Sequence, residues 1–288
     1  MLPAAVAALE KMELILKVGH YSPATIVNYR REIRLLLEYY PDLDPADLSI
    51  DLITRYLLYC KEVLGSGFSK CHLVAQSVSF LFKHVLQKDY RVPSVLYPRK
   101  PEQLPDILSE AEVKRLIEST TNLKHRTILS LIYSAGLRLN EASQLRIEHI
   151  DSTHMRIKVV RGKGNKDRYT LLSPRILLQL RDYYRKYKPQ QYLFNGIKKG
   201  APISPRMIQH VFTRSMQRAA ITNKGYSVHT LRHCFATHLL DNGADIHTIK
   251  ELLGHCDLKT TMIYMHLTTA RVQRIINPYD RIMSQSGS

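Results

Sequence analysis

Between residues 9 and 40 the apolar positions fall into two helical runs. Ser22 and Pro23 open the second: a serine hydroxyl accepts an orphan N–H of the first turn, and proline's fixed φ suits the first helical position. Ile26, Tyr29, Ile33, Leu36 and Leu37 form its apolar stripe, Arg30, Arg31 and Arg34 lie largely off it, and Pro41 ends it. Ser49 or Asp51 caps a third helix that turns Leu52, Ile53, Tyr56, Leu57 and Cys60 inward. Ser69 begins a fourth, through Leu73, Val74, Val78, Leu81, Phe82 and Val85. This pattern predicts an all-helical domain over residues 1–92.

The texture then changes. Pro93, Pro98, Pro101 and Pro105, with Arg99 and Lys100 among them, predict an extended basic connector over residues 93–108. A second domain over 109–288 opens with Ser109, Glu110 and Glu112 ahead of Val113, Leu116 and Ile117, followed by a helix at 124–136 that stops at Gly136. Residues 154–160 and Asp167–Leu172 read as two strands joined by the turn Arg161-Gly162-Lys163-Gly164-Asn165, and helices dominate afterwards. The expected fold is mainly α with a small β-sheet: a helical first domain and an α+β second one. The polar end, Ser284–Ser288, is expected to be disordered.

Charge sharpens this picture. The 288 residues carry 42 Lys and Arg against 25 Asp and Glu, a formal net charge of +17 that has to sit mostly at the surface. A polyanion is the natural partner, nucleic acid first. A membrane is disfavoured, because the chain has no apolar run long enough to span a bilayer and no secretory signal at its N-terminus, so the cytoplasm is the expected compartment. Cys60, Cys71, Cys234 and Cys256 lack metal-ligand spacing and are expected to be free thiols, with no bound zinc.

Four short segments carry candidate chemistry. Gly136-Leu137-Arg138-Leu139-Asn140-Glu141 sets Arg138 at a chain break with Glu141 three residues on, an arrangement that is often just a surface ion pair. Lys163 stands at the tip of a glycine-rich turn able to approach a ligand closely. In Val228–Leu239, His229 and Arg232 share one helix face, and with Leu231, Phe235 and Leu239 buried they are expected to point away from the core. His233 and His238 read as structural. Finally, Gly254 breaks a helix just before His255, and Tyr264, one of 17 tyrosines, follows shortly after.

Taken together, GLRLNE, GKGNK, HTLRH, LLGH and the later Tyr264 resemble, in order and approximate spacing, the tyrosine recombinase (phage integrase) superfamily. In compactness the chain is most similar to Xer-type recombinases and small integrases. SPATIVNYRREI resembles that family's core-binding domain, so the resemblance covers nearly the whole chain. It implies six active-site positions, Arg138, Lys163, His229, Arg232, His255 and Tyr264, with Glu141 in support. It implies site-specific cutting and rejoining of duplex DNA through a 3′-phosphotyrosyl bond, with no cofactor or metal. A homotetramer on two sites is implied as well, with room for an accessory protein or a partner recombinase.

The chemistry suits those residue types. Two guanidinium forks meet the nonbridging oxygens of a phosphodiester as charge builds on them. A phenol must lose its proton to attack, and nearby arginines favour the phenolate, with His229 as the expected acceptor. Lys163 is the expected acid for the departing 5′ oxygen, and His255 the expected donor to a nonbridging oxygen. A two-domain clamp around DNA is expected. The segment Ala270–Met283, with Val272, Ile275 and Ile276, either docks on a neighbouring subunit or packs on its own domain. Two rivals use similar parts: a type IB topoisomerase-like enzyme, which relaxes DNA without exchanging sites, and a DNA-binding regulator with a relic site.

Overall fold

The computed structural model describes residues 1–88, 104–160, 167–198, 200–222 and 225–267, with the side chain of residue 266 excepted. The chain divides into two compact units, Met1–Glu102 and Gln103–Ser288.

The first unit is helical. Its elements are α1 (Pro3–Val18), α2 (Pro23–Tyr39), α3 (Ile50–Glu62) and α4 (Phe68–Phe80), the last running on into a π-helical turn, Leu81–Leu86. The Ser22 hydroxyl accepts the Thr25 N–H at 3.1 Å, and Ser49, rather than Asp51, caps α3 by accepting the Leu52 N–H at 3.3 Å. The fourth helix starts one residue before the expected Ser69: extended Gly67 lets the chain turn directly into Phe68. Met12, Leu16, Ile33, Leu36, Leu37, Ile53, Val74, Val78 and Leu81 form the core. Glu32, on the buried side of α2, is fully enclosed and is held by the Arg31 guanidinium and the Lys70 ammonium.

The expected connector falls mainly on residues 93–103, outside the described residues. Leu108, at its end, is fully buried and its N–H donates to Cys234 Sγ, so it belongs to the core of the second unit.

That unit opens with α5 (Glu110–Glu118), whose start is a reciprocal capping box between Ser109 and Glu112. Helix α6 (Leu123–Ala135) is its spine, with Thr127 to Ile132 all buried, and it packs on α8 (Pro174–Tyr187) and α10 (Val228–Asp241). After α7 (Leu139–Gln144) comes an antiparallel sheet in the order β1 (Ile150–Asp151), β2 (Arg156–Val159), β3 (Arg168–Leu171). The first expected strand begins later than residue 154 because Met155 turns through a positive φ of 49°. Val159 pairs with Arg168, which sets the register at the mouth of the expected glycine-rich turn. Helix α9 (Pro205–Arg218) precedes α10, and α11 (Ile246–Leu253) and α12 (Lys259–Met262) follow it, the last passing into a 3-10 turn at Ile263–His266.

All four cysteines are free thiols, with Cys60, Cys71 and Cys234 buried and Cys256 exposed. Among the described residues no helix is long and apolar enough to cross a membrane, and no group of His, Cys, Asp and Glu gathers as metal ligands.

Candidate active site

Helix α6 ends because Gly136 takes a left-handed turn, φ 60°, and only glycine fits there: a Cβ would lie 2.4 Å from the Phe235 ring. The chain then reaches Arg138, which caps α7. Its backbone N–H donates to Glu141 Oε2 at 2.7 Å, and its guanidinium donates to Glu141 Oε1 at 2.8 Å and to the Gly254 carbonyl at 3.3 Å. Arg138 and Glu141 are therefore no mere surface pair.

Arg232 corrects the expectation that it points away from the core, since it is only 4% exposed. Its guanidinium donates to the Gly136 carbonyl and to the Leu253 carbonyl, both at 2.6 Å. These are the C-terminal ends of α6 and α11, where unpaired carbonyls and the helix dipole favour a cation. Two converging helix ends thus make it tolerable to bury this arginine. Burial, then the charge of Arg138, lowers its pKa to about 9, which still leaves it charged at neutral pH.

Arg168, which sequence reasoning passed over, completes the cluster. It grips Glu141 with both arms of its fork, at 2.7 and 2.8 Å, and its Nε donates to the Leu252 carbonyl at 2.9 Å. A Cβ on Gly254 (φ 63°) would come within 2.6 Å of Arg168 Cδ, so the glycine makes room for the arginine stem. The available signal was strand alternation: Arg168 shares the inward face of β3 with buried Thr170. Burial alone would raise the pKa of Glu141, but hydrogen bonds and charge from Arg168, then Arg138, overcome it and hold the carboxyl at about 2. One carboxylate against three arginines leaves a net positive centre.

The last segment faces this centre. His255 follows the left-handed break at Gly254, and its Nδ1 meets Thr261 Oγ1 at 2.9 Å. Burial, then Arg232 and Arg138, lowers its pKa to about 4, so the ring is neutral near pH 7. The Tyr264 ring lies nearly parallel to it, with centroids 6.4 Å apart, and Tyr264 is 1% exposed.

The imidazole that meets the phenol is not that of His229. His233 Nδ1 lies 3.0 Å from Tyr264 Oη, and no pattern in the sequence pairs these residues. His229 sits exposed in the first turn of α10, its pKa lowered by partial burial, then by Arg232 and Arg138. Arg232 and Arg138 favour the Tyr264 phenolate, as expected, but burial outweighs them and its pKa is raised. His238, the other histidine read as structural, meets the Tyr133 hydroxyl at 3.0 Å. Lys163, the tail segment Ala270–Met283 and the terminal Ser284–Ser288 lie outside the described residues.

Comparisons with known proteins give the family and the fold. Residues 101–271 match the family described as the Phage integrase family, and residues 8–92 match its N-terminal SAM-like domain. The tyrosine recombinase XerD of Staphylococcus saprophyticus is 33% identical over 280 residues, covering 90% of this chain and 92% of that protein. The crystal structure of XerA recombinase is similar at 27% identity and a TM-score of 0.54, covering 99% of both chains. A lambda integrase tetramer bound to a Holliday junction shares the fold, with a TM-score of 0.72 at 16% identity over 90% of this chain and 76% of that one.

Proposed function

The chain belongs to the phage integrase family, and on that premise we propose that it is a site-specific recombinase that cuts and rejoins duplex DNA through a phosphotyrosyl bond to Tyr264. One observation carries the reading: Arg138, Arg232 and the pair His255 and Tyr264, from three separate stretches of chain, converge on the positive centre built around Glu141.

Glu141 holds the forks of Arg138 and Arg168 in fixed orientations, so little reorganisation is needed when a phosphodiester arrives. Arg138, with 22% of its side chain exposed, is the accessible edge of the cluster, and Arg232 supplies charge from behind. His229 flanks the two arginines at the open side, and neutral His255 donates to a nonbridging oxygen. Tyr264 Oη attacks phosphorus, its bond to oxygen forms as the P–O5′ bond breaks, and Lys163 protonates the departing 5′ oxygen. The covalent link stores the phosphodiester's energy, and a 5′ hydroxyl from another strand releases it again.

Duplex DNA with paired recombination sites is the substrate, and a homotetramer on two sites is the working assembly, acting in the cytoplasm. In the N-terminal unit, Arg30, Arg31 and Arg34, each at least half exposed along one side of α2, supply phosphate contacts. Affinity resting on such contacts falls steeply with salt.

The test is capture of covalent adducts from cells carrying the source genome, followed by sequencing of the attached DNA and a two-site exchange assay. Adducts at a discrete site, with exchanged products from two such sites, are expected. Scattered adducts with relaxation alone would favour the topoisomerase-like reading. Specific binding without any adduct would favour a regulator.

A further inference from the structure

Tyr264 poses a chemical problem that the arginines do not solve. Its hydroxyl is buried, burial raises its pKa, and an attacking phenol must shed its proton as the new bond forms. Among the described residues, the group in hydrogen-bonding reach is His233, one residue beyond Arg232 on α10, with Nδ1 3.0 Å from the phenol oxygen.

From this contact we infer that His233 is the catalytic base of DNA cleavage, taking the Tyr264 proton on Nδ1 and returning it when the strand is resealed. The inference rests on Tyr264 being the nucleophile. In the forward step the Oη–H bond breaks and the proton passes to Nδ1, giving an imidazolium. The freed electron pair forms the O–P bond, the P–O5′ bond breaks, and the 5′ oxygen takes its own proton from elsewhere. Resealing runs the same transfers backwards.

The surroundings suit this role. Among the described residues, the charged and titratable groups facing His233 are His229 and Arg232 on its own helix, with Tyr264 and His255 on the last segment. Burial, then His229 and Arg232, holds its pKa at about 4, so before DNA binds the ring is neutral and Nδ1 is free to accept in the Nε2–H tautomer. A phosphate anion beside Arg232 and Arg138 cancels part of the cationic field that depresses His233. Substrate binding therefore raises the basicity of the ring toward the range in which a general base works well. His229, closer to the open edge, is left to the phosphate.

The experiment uses the full chain and a duplex carrying the site recovered by adduct capture, in an ordinary version and one with a 5′-bridging phosphorothiolate. The sulfur leaving group needs no acid, so that substrate isolates the nucleophile's proton from the leaving group's. His233→Asn keeps an acceptor near the Nδ1 position but cannot take a proton at neutral pH, and His233→Ala removes both. Both variants are expected to bind DNA as tightly as the wild type and to slow single-turnover adduct formation about 100-fold or more at pH 7. The defect should persist on the phosphorothiolate and shrink as pH rises toward the phenol's own ionisation. Wild-type rates in His233→Asn would overturn the inference in favour of a hydrogen bond that only positions Tyr264. Faster cleavage in both variants would overturn it in favour of a restraint on the nucleophile. Rescue by the phosphorothiolate would move His233 to the leaving group. A wild type that forms no adduct would instead refute the reading of Tyr264 itself.

Discussion

Glu32 in the N-terminal unit and Glu141 in the C-terminal unit are both enclosed carboxylates clasped by cations, yet the cations differ in what surrounds them. The partners of Glu32 reach water: the Arg31 side chain is 50% exposed and that of Lys70 28%. The partners of Glu141 include Arg168 and Arg232, 8% and 5% exposed, and both also donate to carbonyls at the end of α11. In the first unit a carboxylate pins two surface cations to a helical core. In the second it organises two cations that water barely reaches beside a third, Arg138, that is 22% exposed and opens the surplus positive charge to the surface. The same kind of ion pairing ties surface cations to a core in one place and gathers a net positive centre in the other.

The sharpest way to break that comparison is to neutralise each carboxylate. Glu141→Gln leaves Arg168 and Arg232 buried without a counter-charge, and it is expected to cost about 3–5 kcal/mol of stability. Native-state hydrogen exchange read separately over the two units measures it. Acid tests the same centre next. Glu141 is held at about 2, below its unfolded value, so the stability it contributes is present above about pH 5 and lost as pH falls through about 2, on the order of 3 kcal/mol. His233 and His255, both at about 4 when folded, act in the same direction over a higher window. Their unfolded rings protonate below about pH 6.5, so their contribution is complete above that and lost as pH falls through about 4. Imidazole resonances followed by NMR should show two histidines that stay neutral at pH 5.5.

Glu32→Gln should cost less, about 1–2 kcal/mol, because Arg31 and Lys70 can rehydrate where they stand. An equal cost at the two carboxylates would mean that the burial of the Glu141 partners makes no energetic difference. As a baseline, Arg185→Ala breaks a 2.9 Å pair with Asp182 in which both side chains are mostly exposed, and it should change stability by less than about 0.5 kcal/mol.

The sequence made the helices legible because their signals are local. Ser22, Ser49, Ser109 and Gly136 each mark a helix end through bonds or turns within a few residues. The two-residue strand β1 left no such signal, since its pairing with β2 is its whole definition. The motif residues Arg138, Glu141, Arg232, His255 and Tyr264 could be picked out by order and spacing, but their surroundings were not readable. Helical periodicity turned Arg232 outward because it cannot see that the ends of α6 and α11 meet there and supply acceptors. The contacts of Arg168 with Glu141 and of His233 with Tyr264 span 27 and 31 residues, and only the folded chain creates them.

The most direct test of the account is to identify the residue that carries the DNA. A covalent adduct formed on a nicked duplex of the recovered site is digested with protease and nuclease, and the modified peptide is sequenced by mass spectrometry, with Tyr264→Phe run in parallel. The expected product is a nucleotide joined through its 3′ phosphate to Tyr264, with no adduct from Tyr264→Phe, which should still bind the site. A nucleotide on any other residue, or an adduct that survives in Tyr264→Phe, would contradict it.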